Sequence, residues 1–490
     1  MGRPSSAWEA IERAPSGALI AALLAVQLVV HLPDLARPAY GAHLWRQTQT
    51  LAVARNFAEE SMNPLYPRVD SGGASSGITG MEFPFVNYAI AIAYKLGGGR
   101  DVTARLVMLG FSFVTITGCF VLAGELLGST IAGAAAGLIL IFSPMFFFYS
   151  TAAIPDFPML GFLCLGLTGL LVWLRTGAPR PLVCGLAALT LAALIKVSAS
   201  AWWFAALLLL VRGTRAHARE RLLTVGLALL GVATVGAWYV YARYLSRAFH
   251  NHYFRLEPLF PYPLGPVPGA LKLIFLQRMP ELYISYPEFA LFVIGVVALR
   301  GLRGGVLLPM LAAYALGIAL FLVAFLPAIK IHDYYMIAGL PPLILLGALG
   351  FETLRVRAAS SRAAACALIA LCGALPVVGP YRALAERRAA PYRPELLTVE
   401  SEIDRVAPDR AARIVAVSDD SPNIYLWFMH RKGWSMPDTV EAGTLERAIR
   451  GGARYLVSES PAFEARPDVA PWLEPLSRHG AFRIYALRRP

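Results

Sequence analysis

Residues 306–326 read VLLPMLAAYALGIALFLVAFL, without a single charge. A stretch of about 20 apolar residues spans the roughly 30 Å hydrocarbon core of a bilayer. It does so as a helix, because lipid offers no partners to free backbone N–H and C=O groups. Residues 182–211 repeat the pattern with Lys196 as their one charge. Working outward, apolar segments at 17–32, 106–127, 131–149, 157–174, 182–195, 197–211, 222–242, 283–299, 306–326, 334–351 and 363–378 predict about eleven transmembrane helices. The composition agrees: 57% of the 490 residues are hydrophobic and 15% charged, against about 25% charged in a soluble domain.

The net charge of +13 raises nucleic-acid binding, but no basic, aromatic-interleaved soluble module accompanies it. The arginines are instead spaced as cytoplasmic anchors. Four short linkers hold Arg175 and Arg180; Arg212, Arg215, Arg219 and Arg221; Arg300 and Arg303; and Arg355, Arg357 and Arg362. With a cytoplasmic N-terminus all four linkers fall on the cytoplasmic side. The first segment follows Arg3 and Arg13 without a small-residue cleavage site, and so reads as an uncleaved span. The five cysteines lie in apolar segments with neither metal-ligand spacing nor a disulfide framework.

The opposite side collects most of the other ionisable residues outside the tail: Asp34, Asp70, Glu82, Asp101, Asp156, Lys196, Glu257, Lys330, His332 and Asp333. Solvation explains poorly why charges occupy tight turns at helix ends, and ionisable groups at membrane depth point to function. A long loop, 33–105, contains an amphipathic helix at 48–60 with Leu51, Ala54 and Phe57 on one face. It also holds a turn-rich stretch at 66–73 and an interfacial apolar segment at 85–96. A second loop, 245–282, carries Phe260-Pro261-Tyr262-Pro263, suited to covering a site.

After Arg382 the composition changes. The tail reads as helix at 395–406, strand at 413–417, a helix opening at Ser421-Pro422 with Gly433 near its end, helix at 445–449, and strands at 454–457 and 482–487. The fold class is an all-α polytopic membrane bundle with a small C-terminal α/β soluble domain. The membrane domain covers 1–385, with the 33–105 loop included, and the soluble domain covers 390–490.

Four groups can carry chemistry. His43, Trp45, Arg46 and Gln47 follow the first span: Arg46 can grip a phosphate through paired donors, and Trp45 offers a flat face to a sugar or prenyl chain. Interfacial anchoring explains the same residues. Asp70 and Glu82 can each act as a general base or hold a metal; turn capping and solvation are the plainer readings. Asp156 follows Pro155 at a helix start, as a base or a simple cap. Lys330, His332, Asp333, Tyr334 and Tyr335 crowd one short turn, where the cations and hydroxyls suit a phosphate leaving group, with Lys196 as a further cation. Snorkelling explains Lys330 equally well. No P-loop, GxGxxG, HExxH or nucleophile elbow is present, and no inverted repeat of the transporter kind is evident.

Together the long first loop and the segments His43 to Thr50, Tyr66 to Gly73, Glu82-Phe83-Pro84, Phe147 to Ser150 with Pro155-Asp156, and His332 to Tyr335 resemble the GT-C glycosyltransferases. The resemblance is particularly to bacterial relatives of dolichyl-phosphate-mannose protein mannosyltransferases and aminoarabinose transferases. It implies a hexosyl- or pentosyltransferase of the bacterial inner membrane with a periplasmic C-terminal domain. Such an enzyme would move a sugar, with inversion, from a polyprenyl-phosphate donor to a lipid, glycan or protein hydroxyl. The resemblance implies Asp70, Glu82 or Asp156 as base; Arg46, Lys196, Lys330, His332, Tyr334 and Tyr335 around the donor phosphate; and His43, Trp45, Gln47 and Asp333 against substrate. A divalent cation, magnesium or manganese, is left open. One departure stands out: Gln49 occupies the place of an early acid and cannot serve as a base. Two other classes therefore stay in view, a lipid-linked glycan flippase and a non-catalytic sugar-lipid-binding subunit.

Overall fold

The computed structural model describes residues 12–99, 101–216, 221–251, 253–254, 261–301, 305–389, 393–419, 421 and 423–488. Arg3, Arg219, Glu257, Phe260, Arg303 and Pro422, named above, lie outside these residues. The chain packs as two compact units: Met1–Leu35, Arg105–Trp238 and Glu257–Arg388 form one, and Ala36–Ala104, Tyr239–Leu256 and Ala389–Pro490 the other. The first loop thus clusters with the C-terminal domain.

The first unit is a helical bundle. Among the described residues, eight helices are long and apolar enough to cross a membrane: Ser16–Asp34, Asp101–Leu127, Asp156–Thr176, Val197–Arg215, Arg221–Ala248, Leu307–Ile331, Asp333–Ala358 and Arg362–Glu386. Val267–Tyr283 and Tyr286–Gly301, bent by 116°, make a ninth if counted as one span. Thr130–Phe142 and Pro179–Ile195 are apolar but shorter. Every apolar segment of the sequence therefore has its helix, although fewer than the expected eleven are full-length spans.

Two breaks account for much of the difference. The 131–149 segment stops at Ser143, because Pro144 has no N–H to continue the ladder. The Ser143 hydroxyl accepts from Phe146 N (3.4 Å) and donates to Tyr283 O (2.8 Å), so both sides of the break are tied. The 283–299 segment begins at a capping box, in which Ser285 and Glu288 serve each other's backbone, with Tyr286-Pro287 opening the helix. Helix crossings in the bundle rest on small residues. A Cβ on Gly295 would lie 1.8 Å from Leu346 O, and one on Gly350 1.9 Å from Leu291 O. Tyr286–Ala298 and Leu340–Ala358 thus touch backbone to backbone.

The second unit holds a five-stranded sheet. Its strands are β1 (Arg413–Val417), β2 (Gly433–Met436), β3 (Ala453–Ser458), β4 (Leu473–His479) and β5 (Phe482–Leu487), in the order β2-β1-β3-β5-β4. β1 is parallel to β2 and β3; β5 runs antiparallel to β3 and β4. Alternation along β1 divides the core. Ile414 and Ala416 pack with Val399, Ile403 and Leu426; Val415 and Val417 pack with Leu445, Ile449 and Phe463 on the other face.

Two sequence expectations change in this sheet. Gly433 does not close a helix: the helix is Ile424–Phe428, and Gly433 opens the edge strand β2. β4 also has no counterpart in the sequence reading, because its exposed positions hide the period-two pattern. The 48–60 helix is Leu44–Glu59, and it is not amphipathic in its setting. Arg46, Gln47, Thr48, Gln49, Thr50, Arg55 and Asn56 are buried along with the apolar face.

Candidate active site

In the helical bundle, two helix ends converge on aromatic residues. Helix Pro179–Ile195 stops at Lys196, whose backbone is extended (φ −154°, ψ 127°). The buried Lys196 ammonium lies 3.8 Å from Asp156 Oδ2, 4.8 Å from the centre of the Tyr335 ring and 5.6 Å from that of Tyr334. A carboxylate and two ring faces thus share one cation. Asp156 is fully buried in the first turn of its helix, where negative charge suits the helix dipole; Pro155 is the N-cap.

Helix Leu307–Ile331 ends before the 332–335 turn. Arg278 completes that end, donating to Ile329 O and Lys330 O at 2.9 Å each. Asp333 then accepts from the Tyr149 hydroxyl at 2.9 Å. The His332 ring stacks on Tyr334, centroids 5.5 Å apart, and lies 5.4 Å from Tyr335. The bundle therefore assembles Asp156, Lys196, His332, Asp333, Tyr334 and Tyr335, and adds Tyr149. Lys330 departs from the sequence reading. Its side chain is exposed, and among the described residues its contact is through its carbonyl, as snorkelling at a helix end would have it.

In the second unit, Leu44–Glu59 carries the early motif. His43 is its N-cap, in the left-handed region at φ 53°, and is half-buried like Trp45. Arg46 donates to Gln49 Oε1 (2.5 Å) and Glu82 Oε1 (3.1 Å), and lies 6.0 Å from the Phe254 ring centre. Gln47 donates to Ala42 O, steadying the turn into the helix. Gln49 thus orients the guanidinium, and the carboxylate in front of Arg46 comes from Glu82.

Asp70 is a different case. It is 1% exposed, with Oδ2 accepting from Arg55 at 2.7 Å and Oδ1 from Asn56 at 3.0 Å. Arg55 also donates to Trp427 O and lies over the Trp427 ring at 4.4 Å. The backbone beside Asp70 joins the sheet edge: Gly73 N donates to Gly433 O (2.7 Å), and Gly433 N to Asp70 O (3.1 Å). Both oxygens of this buried carboxylate are thus held by the fold, which it is placed to brace. Asp70→Ala is expected to cost about 3–5 kcal/mol, because it strands the buried Arg55 charge. Thermal or denaturant unfolding of the purified protein checks it; a change below about 1 kcal/mol would contradict the bracing role.

Among the described residues no three His, Cys, Asp or Glu side chains converge. Each candidate carboxylate already faces a cation: Asp70 faces Arg55, Glu82 Arg46, and Asp156 Lys196.

Sequence reasoning missed Tyr149 as a partner of Asp333, along with Arg278, Arg55 and Asn56. A lone arginine in an otherwise apolar helix end was a usable signal for Arg278. Nothing local marked the others.

The family model described as dolichyl-phosphate-mannose-protein mannosyltransferase matches residues 82–240, roughly a third of the chain. ArnT from Cupriavidus metallidurans, solved bound to undecaprenyl phosphate, is similar over 96% of this chain and 98% of its own, with TM-score 0.67 and 15% identity. The chain has the fold of the GT-C glycosyltransferases. The Archaeoglobus fulgidus oligosaccharyltransferase shares this GT-C fold over 90% of this chain and 67% of its own, at TM-score 0.57 and 12% identity. The arabinofuranosyltransferase AftD from Mycobacteria does so over 97% of this chain and 42% of its own, at 0.58 and 15%. No curated protein matches by sequence. The matched GT-C segment carries Glu82, Tyr149, Asp156 and Lys196 and stops short of the 332–335 turn. The apolar helices and this fold make the chain a multi-pass membrane protein.

Proposed function

We propose that the chain moves a sugar from a polyprenyl-phosphate donor to a hydroxyl acceptor, on the non-cytoplasmic face of a bacterial inner membrane. The observation that carries this reading is the end-to-end likeness to ArnT bound to undecaprenyl phosphate. The buried Lys196 supports it, as a cation fit for a leaving phosphate. Placing the arginine-rich linkers on the cytoplasmic side gives the orientation.

The reaction is a single displacement. The acceptor oxygen bonds to the anomeric carbon as a carboxylate takes its proton, and the bond from that carbon to the phosphate oxygen breaks. Inversion follows. The departing polyprenyl phosphate gains a negative charge, which Lys196 offsets, while the half-buried Tyr335 hydroxyl is fit to donate to it. Among the three carboxylates we assign the base to Glu82. Its side chain is 16% exposed, against none for Asp70 and Asp156, and a general base must come within hydrogen-bond reach of the acceptor. Arg46 donates to it at 3.1 Å and holds it in place. His43, Trp45 and Gln47 stand at the same helix start, to receive the sugar or acceptor.

The test is purified protein in lipid nanodiscs with a panel of polyprenyl-phosphate sugars and membrane-extracted acceptors, read by mass spectrometry. Consumption of one donor with release of free polyprenyl phosphate is the expected result. Intact donors across a panel of hexoses and pentoses, with acceptors from its own envelope, would overturn the reading. Because Asp70, Glu82 and Asp156 each already face a cationic side chain, turnover is expected to persist in excess EDTA. A loss restored by magnesium or manganese would contradict that.

A further inference from the structure

The helix that carries Arg46 and Gln49 at its start is gripped at its end by a histidine nearly four hundred residues later. His430 lies in the turn between Ile424–Phe428 and β2, with its backbone in the left-handed region at φ 50°. Its Nε2 is 3.1 Å from both carboxylate oxygens of Glu59, the last residue of Leu44–Glu59. Its Nδ1 is 3.2 Å from Glu400 Oε1, in helix Val399–Val406. A neutral imidazole has one N–H and one lone pair, so it can serve one of these carboxylates but not both. The imidazolium donates at both nitrogens and serves the two together.

Charged side chains around His430 come from several elements. Leu44–Glu59 and the residue after it contribute Arg55, Glu59 and Glu60, and the turn beyond contributes Asp70. Val399–Val406 contributes Glu400 and Asp404, and the loop before β1 contributes Arg410. Arg431 and Lys432 follow His430 itself. Arg55 pairs with Asp70, Arg431 and Arg410 with Asp404, and Lys432 with Glu60; Arg410 also reaches Glu400 at 3.4 Å. His430 is the group of this set whose side-chain type ordinarily titrates near neutral pH. Most of these residues line a polar cavity of about 310 Å³, which admits water to the ring.

We propose that His430 is a pH-sensitive positioning residue: as an imidazolium it clasps the C-terminal domain to the helix that presents Arg46, and on deprotonation the clasp loosens. Its consequence for sugar transfer rests on the function proposed above; the clasp itself does not.

The direction of titration follows from the contacts. Glu400, then Glu59, raise His430 above the usual imidazole range, against burial and the charge of Arg55. His430 lowers Glu400, and at Glu59 it outweighs burial with help from Arg55 and Arg410. A raised imidazole contributes fully below its ordinary value of about 6.5 and is lost as pH rises through the raised value. The two lowered carboxylates act in the opposite sense, losing their contribution as pH falls below their ordinary value of about 4.5. The clasp is therefore closed at mildly acid pH and opens on the alkaline side.

The experiment measures hydrogen exchange in residues 44–59 of the full chain in nanodiscs, corrected for the intrinsic pH dependence of exchange. Protection in the wild type is expected to fall about two- to fivefold as pH rises, the scale set by partly exposed ion pairs. His430→Asn should remove that step, because asparagine accepts a left-handed backbone but does not titrate. Glu59→Gln should remove it from the other side, even where His430→Asn fails to fold. An identical pH response in the wild type and Glu59→Gln would overturn the proposal. If the transfer reading holds, the alkaline limb of the wild-type pH–turnover profile should also flatten in His430→Asn. If no donor turns over, the function proposed above fails and the exchange step still decides the clasp.

Discussion

Replacing Glu82 by glutamine is expected to lower turnover by about a thousandfold while leaving donor binding near its wild-type level. A positioned general base contributes about 10²–10⁴ in rate, and an amide oxygen at near-neutral pH takes no proton from a hydroxyl. The substitution keeps a hydrogen-bond acceptor of the same shape. The glutamine carbonyl can still accept from Arg46, which donates to Glu82 Oε1 at 3.1 Å and also holds Gln49. Arg46 is buried, 4% exposed, so losing the carboxylate charge also costs some stability, and unfolding of the variant is measured beside its turnover. Single-turnover kinetics on a donor taken from the panel, with donor affinity measured separately, give the answer. Turnover within threefold of wild type would remove Glu82 from the mechanism and return the question to Asp156. Asp70→Asn should behave differently, losing stability first and activity only as a result.

Lys196→Met is expected to act twice. The ion pair with Asp156 is buried, with side chains 6% and 0% exposed. Removing one partner of such a pair typically costs about 3–5 kcal/mol through the stranded charge. Losing a cation at the leaving phosphate should also cost about 10²–10³ in rate, as loss of one electrostatic donor does elsewhere. The two effects separate in the double variant Lys196→Met, Asp156→Asn. It leaves no stranded charge, so stability should largely return while the rate stays low. The 3.8 Å separation is too long for a hydrogen bond, which suits a cation that must also turn toward a phosphate. Wild-type turnover in the double variant would end the assignment of Lys196.

The apolar segments were legible because composition alone decides them. A run such as 306–326 has one stable state in lipid, and the helix Leu307–Ile331 lies where the run does. Strands 413–417 and 482–487 were legible for a related reason, since each is a short apolar run closed by turn residues. What escaped were partners distant along the chain. Nothing near Asp70 announces that Arg55 and Asn56 hold both its oxygens, and nothing near Asp333 announces Tyr149. Lys330 and Lys196 look alike in sequence, each beside an apolar helix. Burial separates them, and burial is a property of the packed bundle. Gly433 misled for a local reason: glycine ends helices and also opens edge strands where backbone from elsewhere comes close. A Cβ there would meet Ile414 O at 1.8 Å.

The bond from Arg55 to the Trp427 carbonyl joins positions 372 residues apart, and the pairing of Asp70 and Gly73 with Gly433 spans nearly as far. A ribosome makes roughly 5–20 residues each second, so the early segment waits on the order of a minute or less for the strand that completes it. Throughout that interval it must stay soluble, unproteolysed and out of wrong pairings. Biogenesis of this chain is therefore a matter of holding its beginning in readiness for its end.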